Sequence, residues 1–140
     1  MIRFWMLNAA VFAAATAVAA DNRLADAQRL AREALVVDTH IDVPYRLHER
    51  WEDVTAATAH GEFDYPRALA GGLDVAFMSI YTPASMEESG GGRELAHRLI
   101  DSVEALAARA PGRFALVRSS ADVERLQRHG RVLLALGLEN

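Results

Sequence analysis

The chain has 140 residues, of which 51% are hydrophobic and 24% charged, with a formal net charge of −4, and this balance excludes a disordered protein. Every basic residue is an arginine and the arginines are dispersed, so the sequence predicts no nucleic-acid-binding surface. It contains no cysteine, which excludes disulfide bonds as well as thiolate nucleophiles and thiolate metal ligands.

The first twenty residues have the pattern of a secretory signal peptide. Arg3 supplies a positive charge, residues 4–19 are almost wholly apolar, and small residues precede Asp21. The alternative is an N-terminal membrane anchor, but the apolar segment is short for a span of about 20 residues. We therefore predict a signal peptide at 1–20 and an exported mature domain at 21–140, periplasmic or extracellular, which meets the membrane only during export.

Beyond residue 21, helix and strand patterns alternate along the chain. Apolar residues at spacings of three and four predict helices, and short β-branched or apolar runs predict strands. Residues 45–62 predict a loop with some helix, and residues 83–92 predict a loop rich in glycine, serine and glutamate. The other predicted elements, in chain order, are a helix at 23–35, a strand at 36–43, a short helix at 63–70, a strand at 73–81, a helix at 93–110, a strand at 114–117, a helix at 119–130 and a strand at 131–139.

This alternation indicates an α/β fold with a parallel sheet covered on both faces. The pattern alone fits either a doubly wound sheet or part of a (β/α)8 barrel of the TIM type. No glycine-rich phosphate-binding motif follows a strand, which disfavours a nucleotide-binding doubly wound sheet. A complete barrel needs about 250 residues. We therefore predict the N-terminal part of a barrel, truncated after about four strands, and expect this chain alone to be poorly stable and inactive.

His40 and Asp42 are the first candidates for a functional site. They lie at the carboxyl end of the first predicted strand, where residues two apart share a face and where parallel barrels carry their active sites. An imidazole and a carboxylate placed in this way can bind one divalent ion, which the ligand types predict to be zinc, with manganese or cobalt as alternatives. A His-x-Asp pair also occurs often by chance, and its histidine can simply hydrogen-bond its neighbour.

Glu139 is the second candidate, because it ends the apolar run 132–138 at the top of the last predicted strand. A carboxylate in such a place costs free energy to desolvate unless it is paired, protonated or bound to a metal ion. By itself, Glu139 fits a solvated loop residue better than a metal ligand. Together with His40 and Asp42 it favours a metal site, because the two oxygens of a carboxylate can bridge two cations.

Three blocks of the sequence resemble the membrane dipeptidase (renal dipeptidase) family of zinc metallopeptidases. Residues 38–44, Asp-Thr-His-Ile-Asp-Val-Pro, are similar to the opening zinc motif of the family. Residues 63–83 resemble its next block, which has a short aspartate-to-arginine helix, a glycine pair and an apolar strand. Residues 136–139, Leu-Gly-Leu-Glu, resemble the segment with its bridging glutamate. One departure is Asn140, where the commonest family sequence has glycine, and it affects only the local turn.

The resemblance implies a barrel hydrolase with two zinc ions, in which His40 and Asp42 bind one ion and Glu139 bridges both. It implies hydrolysis of dipeptides, with a D-residue tolerated at the C-terminal side, by a hydroxide that the two ions share. The remaining metal ligands of the family, and its catalytic and substrate-binding residues, lie on later strands, so none is assigned among these residues. The expected partners are small dipeptides, and a homodimer is an open expectation.

Two other interpretations of the same residues stay open. One is another metal-dependent amidohydrolase that acts on lactams or lactones, and the other is a secreted α/β binding module without catalysis. Ser79 and Tyr81 end the second predicted strand and could line the pocket there, although packing is the expected role. The remaining histidines are predicted to be surface or helix-end residues rather than ligands: His48, His60, His97 and His129.

Overall fold

The computed structural model describes residues 22–127 and 130–139. These residues belong to two compact units, one ending at Ala34 and the other beginning at Leu35. The first unit contains helix α1 at 22–33, which confirms the first helix predicted after the signal peptide. None of the described helices is long and apolar enough to cross a membrane. The signal peptide predicted at 1–20 lies outside the described residues and stays a prediction.

The second unit alternates strands and helices, as the sequence predicts. Each predicted strand and helix is present, with ends that differ by a few residues. The elements are β1 (Val37–Ile41), α2 (Val43–Glu49), α3 (Tyr65–Gly71), β2 (Val75–Tyr81), α4 (Met86–Ser89), α5 (Gly92–Arg109), β3 (Phe114–Leu116), α6 (Ser120–Leu126) and β4 (Val132–Glu139).

Helix α2 begins inside the first predicted strand and continues into the segment predicted as a loop with some helix, and α4 lies in a predicted loop. The first predicted strand continues to Val43, but Val43 begins α2, and Pro44 lies in the first turn of that helix instead of ending a strand. Proline fits this position because its fixed φ suits a helix and a first-turn N–H has no partner within the helix. Both side chains are buried, so burial in the core fixes this turn. Helix α4 occupies part of the loop predicted at 83–92.

The four strands form one parallel sheet in the order β1-β2-β4-β3. The pairing of β2 with β4 runs from Val75 opposite Leu133 to Tyr81 opposite Glu139. Strand β3 pairs with only the first three residues of β4 and lies at the edge of the sheet. Since consecutive strands of a barrel are normally neighbours, β1, β2 and β4 form the barrel-like series and β3 is an added edge strand.

The two faces of the sheet carry different apolar clusters. On one face, alternate residues of β2 and β4 pack against α5 to form the larger core. The buried residues of this core from β2, β4 and α5 are Ala76, Met78, Ile80, Val132, Leu134, Leu95, Leu99, Val103 and Leu106. The opposite face carries a smaller cluster of Val75, Val117, Leu133 and Ala135, against which residues of α6 pack. Ser79 and Glu139 continue this opposite face, here called the site face, towards the carboxyl ends of the strands.

Asp64 anchors the loop that joins α2 to α3. Its side chain is fully buried, caps α3 by accepting the Arg67 N–H at 2.9 Å, and accepts the Thr58 N–H at 2.9 Å. The Arg67 guanidinium lies 2.7 Å from the same carboxylate. Burial alone would raise the pKa of Asp64, but the hydrogen bonds and the Arg67 charge outweigh it and hold that pKa well below its usual range. The ionised carboxylate therefore ties the loop to the helix.

Gly71 and Gly72 at the end of α3 give a matched test of this local structure. Gly71 is the last helical residue, where an added methyl group would meet no atom within 4 Å, whereas Gly72 is the left-handed C-cap with φ 77°. We expect Gly72→Ala to lower the free energy of unfolding by about 1 kcal/mol, because a Cβ disfavours the left-handed conformation. Gly71→Ala should leave that free energy unchanged or raise it slightly. Chemical denaturation of the two variants measures both changes in the free energy of unfolding. Equal changes for Gly71→Ala and Gly72→Ala would contradict the assignment of Gly72 as the left-handed C-cap of α3.

Candidate metal centre

His40 and Asp42 lie at the carboxyl end of β1, as predicted, but only His40 belongs to the strand. Asp42 follows β1 and occupies the N-cap position of α2, with φ −81° and ψ 31°. Its side chain makes no capping hydrogen bond to that helix, although aspartate is among the best N-cap residues. The carboxylate instead lies 3.2 Å from Nε2 of His40. Asp42 is thus free to serve a site at the top of the sheet.

An irregularity in β1 places His40 on the site face. The β1–β2 register changes between Asp38, opposite Ala76, and Ile41, opposite Met78, so β1 has one residue more than β2 over this stretch. Within it, the side chain of Asp38 accepts the backbone N–H of His40 at 3.0 Å, and this local bond competes with regular strand pairing. Ile41 packs against the larger core, so His40, its neighbour along the strand, points to the opposite face.

Glu139 is the last residue of β4 and brings a second carboxylate to the same place. Its backbone oxygen accepts the N–H of Thr82 at 3.1 Å, and Oε2 of its side chain accepts the hydroxyl of Ser79 at 2.9 Å. The same Oε2 lies 3.0 Å from Nε2 of His40. The Glu139 side chain is 40% exposed, so it is neither a buried core residue nor a fully solvated loop residue.

The three predicted residues therefore form one group. One nitrogen or oxygen atom from each of His40, Asp42 and Glu139 lies within 4.8 Å of the others. Among residues 22–127 and 130–139, this is the only group of three or more such side chains with that spacing. His48, His60 and His97 are exposed and stand outside it, while His129 lies outside the described residues.

The donor atoms of this group fit a divalent metal ion. One imidazole nitrogen and two carboxylates are ligand types that zinc and other divalent first-row metals accept. Two carboxylates beside a single imidazole leave a local excess of negative charge, which a cation would balance. All three side chains are at least 40% exposed, so an ion can reach them from solvent. The arrangement also leaves coordination positions for further ligands or for substrate.

An open cleft of about 900 Å³ borders the group at Glu139. It lies between α4, the start of α5 and the end of β4. Residues on its wall include Thr82, Met86, Arg93, His97 and Leu138. The sequence predicts only a solvated loop here, because the short helix α4 has no periodic pattern long enough to reveal it. These wall residues put the cleft on the side of the sheet that α5 covers, whereas the side chains of the metal-binding group lie on the site face.

The sequence of this chain matches a known protein family. The profile of the membrane dipeptidase family (peptidase family M19) matches residues 24–140. This chain belongs to that family. The resemblance found in its three sequence blocks is therefore confirmed, and the match covers nearly all of the described residues.

Two solved structures of membrane dipeptidase relatives share the fold. One is a metallopeptidase from Rhodobacter sphaeroides bound to a phosphinate mimic of the dipeptide L-Ala-D-Ala, with 20% sequence identity and a TM-score of 0.64. The other is the dipeptidase AC, a metallopeptidase of family M19, with 22% identity and a TM-score of 0.63. Each match covers 76% of this chain, which spans only 38% and 37% of the two relatives. The predicted fold class, the N-terminal part of a (β/α)8 barrel, is confirmed.

Proposed function

We propose that the whole protein is an exported zinc-dependent dipeptidase with a two-ion site, in which His40 and Asp42 bind one ion and Glu139 bridges both. The observation that supports this proposal most directly is the 3.0 Å distance between His40 Nε2 and Glu139 Oε2, because it brings candidate ligands from the first and last strands to one point of the sheet. That point lies at the carboxyl ends of parallel strands, where barrel enzymes carry their active sites.

Each of the three residues has a defined task in this proposal. His40 offers Nε2 as a ligand, which requires a neutral ring with its proton on Nδ1. Asp42 and Glu139 supply the negative charge that holds divalent cations, and the half-exposed position of Glu139 lets a small substrate approach. When bound, the metal ions supply an activated water nucleophile and polarise the carbonyl that is attacked.

The proposed substrates are dipeptides, including those with a D-residue at the C-terminal side. Family membership supports the dipeptide class. The Rhodobacter relative was solved with a mimic of L-Ala-D-Ala, which supports tolerance of a D-residue.

The test uses the whole protein, recovered from the exported fraction of expressing cells. We expect the purified protein to contain zinc, to hydrolyse L,L- and L,D-dipeptides, to lose this activity when a chelator removes the metal, and to regain it when zinc is added back. Lactams, lactones and cyclic amides are assayed in parallel. Faster turnover of those compounds would favour the related amidohydrolase, and a folded protein that retains no metal would favour a binding module. Protein found only in the cytoplasm would contradict export.

A further inference from the structure

Ser79 is a buried polar residue in an otherwise apolar part of β2. It is 3% exposed, and its strand reads Val-Ala-Phe-Met-Ser-Ile-Tyr. A buried hydroxyl without a partner costs free energy, whereas one that donates to a carboxylate forms a charge-assisted hydrogen bond. Ser79 does the latter, since its Oγ donates to Oε2 of Glu139 at 2.9 Å.

The register of the sheet makes this contact specific to Ser79. Ser79 lies opposite Gly137, and Glu139 follows two residues later on the same face of β4. Gly137 has no side chain, and even an added Cβ would meet no atom within 4 Å. The Ser79 hydroxyl and the Glu139 carboxylate meet across neighbouring strands, beside a position that carries no side chain.

Metal binding changes which contact can hold Glu139 in place. In the described structure two groups contact Oε2 of Glu139, the Ser79 hydroxyl at 2.9 Å and Nε2 of His40 at 3.0 Å. A histidine nitrogen that binds a metal ion carries no proton, so it can no longer donate to a carboxylate. Of these two contacts, only the hydrogen bond from Ser79 can remain when His40 binds a metal ion.

We propose that Ser79 is a positioning residue, whose hydroxyl fixes the Glu139 carboxylate in the orientation that faces His40 and Asp42. This inference rests on the proposed function, because it assigns Ser79 to the metal site proposed there. Outer hydrogen-bond partners of this kind orient metal ligands, and their loss typically lowers metal affinity or activity about 10- to 100-fold. Ser79 would act through Glu139 and need not touch substrate.

The experiment measures zinc affinity by competition titration of the metal-free whole protein. Ser79→Ala should bind zinc about 10-fold more weakly than the wild type, and the absorption spectrum of the cobalt-substituted variant should differ from that of the wild type. Ser79→Thr and Ser79→Val form a second pair, because threonine and valine have nearly the same shape but only threonine keeps the hydroxyl. The threonine variant should retain more affinity than the valine variant. This pair answers the question if the alanine variant fails to fold.

Ser102→Ala is the control, since Ser102 lies on α5, is exposed, and its hydroxyl donates to the backbone oxygen of Leu99 within the same helix. Its zinc affinity should equal that of the wild type. Equal affinities for the wild type and Ser79→Ala, or for the threonine and valine variants, would overturn the role of Ser79 alone. A folded wild type that binds no zinc would overturn the proposed function and this inference with it, so the two failures are distinguishable.

Discussion

Replacing His40 with alanine in the whole protein should remove tight zinc binding and lower kcat/KM for dipeptides by more than about 100-fold. That value is the upper end of the loss seen when a hydrogen-bond partner of a metal ligand is removed. The reason is that His40 supplies the one imidazole of the group, and its loss leaves only the carboxylates of Asp42 and Glu139. A larger effect than for Ser79→Ala is expected because a direct ligand is lost. Elemental analysis of the purified variant and steady-state kinetics measure the two changes.

His60→Ala is the matched control for this prediction. His60 is exposed, and its contacts in the described structure use the backbone oxygen, which the substitution keeps. Its zinc content and kcat/KM should match those of the wild type. The assignment of the metal site would be wrong if His40→Ala retained stoichiometric zinc and full activity, or if His60→Ala lost as much as His40→Ala.

The sequence predicts the elements of this fold better than their arrangement. Periodicity reports which residues are buried, so the strands ending at Tyr81 and Glu139 were predictable from their apolar runs. It does not report which strand lies beside which. Strand β3 follows β2 in the chain, yet it pairs with the first three residues of β4 at the sheet edge. Its position depends on long-range packing, which no local pattern encodes.

The end of β1 shows a second limit of local patterns. Residues 36–43 are rich in β-branched side chains, and such residues favour strands, so the sequence predicts a strand through Val43. In the structure Val43 and Pro44 are buried as the first turn of α2. Burial overrides the local preference here. The predicted reason for the convergence of His40 and Asp42, regular strand alternation, is therefore replaced by a bulged strand followed by a helix start.

The candidate ligands were predictable from the sequence, but the role of Ser79 was not. His40, Asp42 and Glu139 each stand at a predicted strand end, and the structure brings them together. Packing was the expected role of Ser79, because the register between β2 and β4 is invisible in a sequence. One signal was present: Ser79 is the only hydroxyl residue among small and apolar neighbours from Val75 to Ile80. A buried polar side chain in a strand needs a partner.

Asp64→Ala should destabilise the whole protein by about 3 kcal/mol, the lower end of the range for breaking a buried ion pair. The Asp64 carboxylate is fully buried and accepts hydrogen bonds from Thr58 and Arg67, so its removal leaves several donors without a partner. The lower end is expected because the Arg67 side chain is 41% exposed and can be hydrated again. Asp26→Ala is the control, since Asp26 pairs with Arg29 at the same spacing on exposed α1 and should change stability little.

The stabilisation by Asp64 should also depend on pH in one direction. Hydrogen bonds and the charge of Arg67 depress the pKa of Asp64 in the folded state, whereas the unfolded chain has an ordinary aspartate pKa of about 3.9. The folded state therefore binds fewer protons than the unfolded state. The stabilisation by Asp64 is complete above the pKa of the unfolded chain and is lost as pH falls towards the pKa of the folded state. The difference in unfolding free energy between the wild type and Asp64→Ala, measured by denaturation, should be constant from about pH 7 to 5 and shrink below about pH 4. A difference that stays constant at lower pH would show that the charge of Asp64 does not carry the effect.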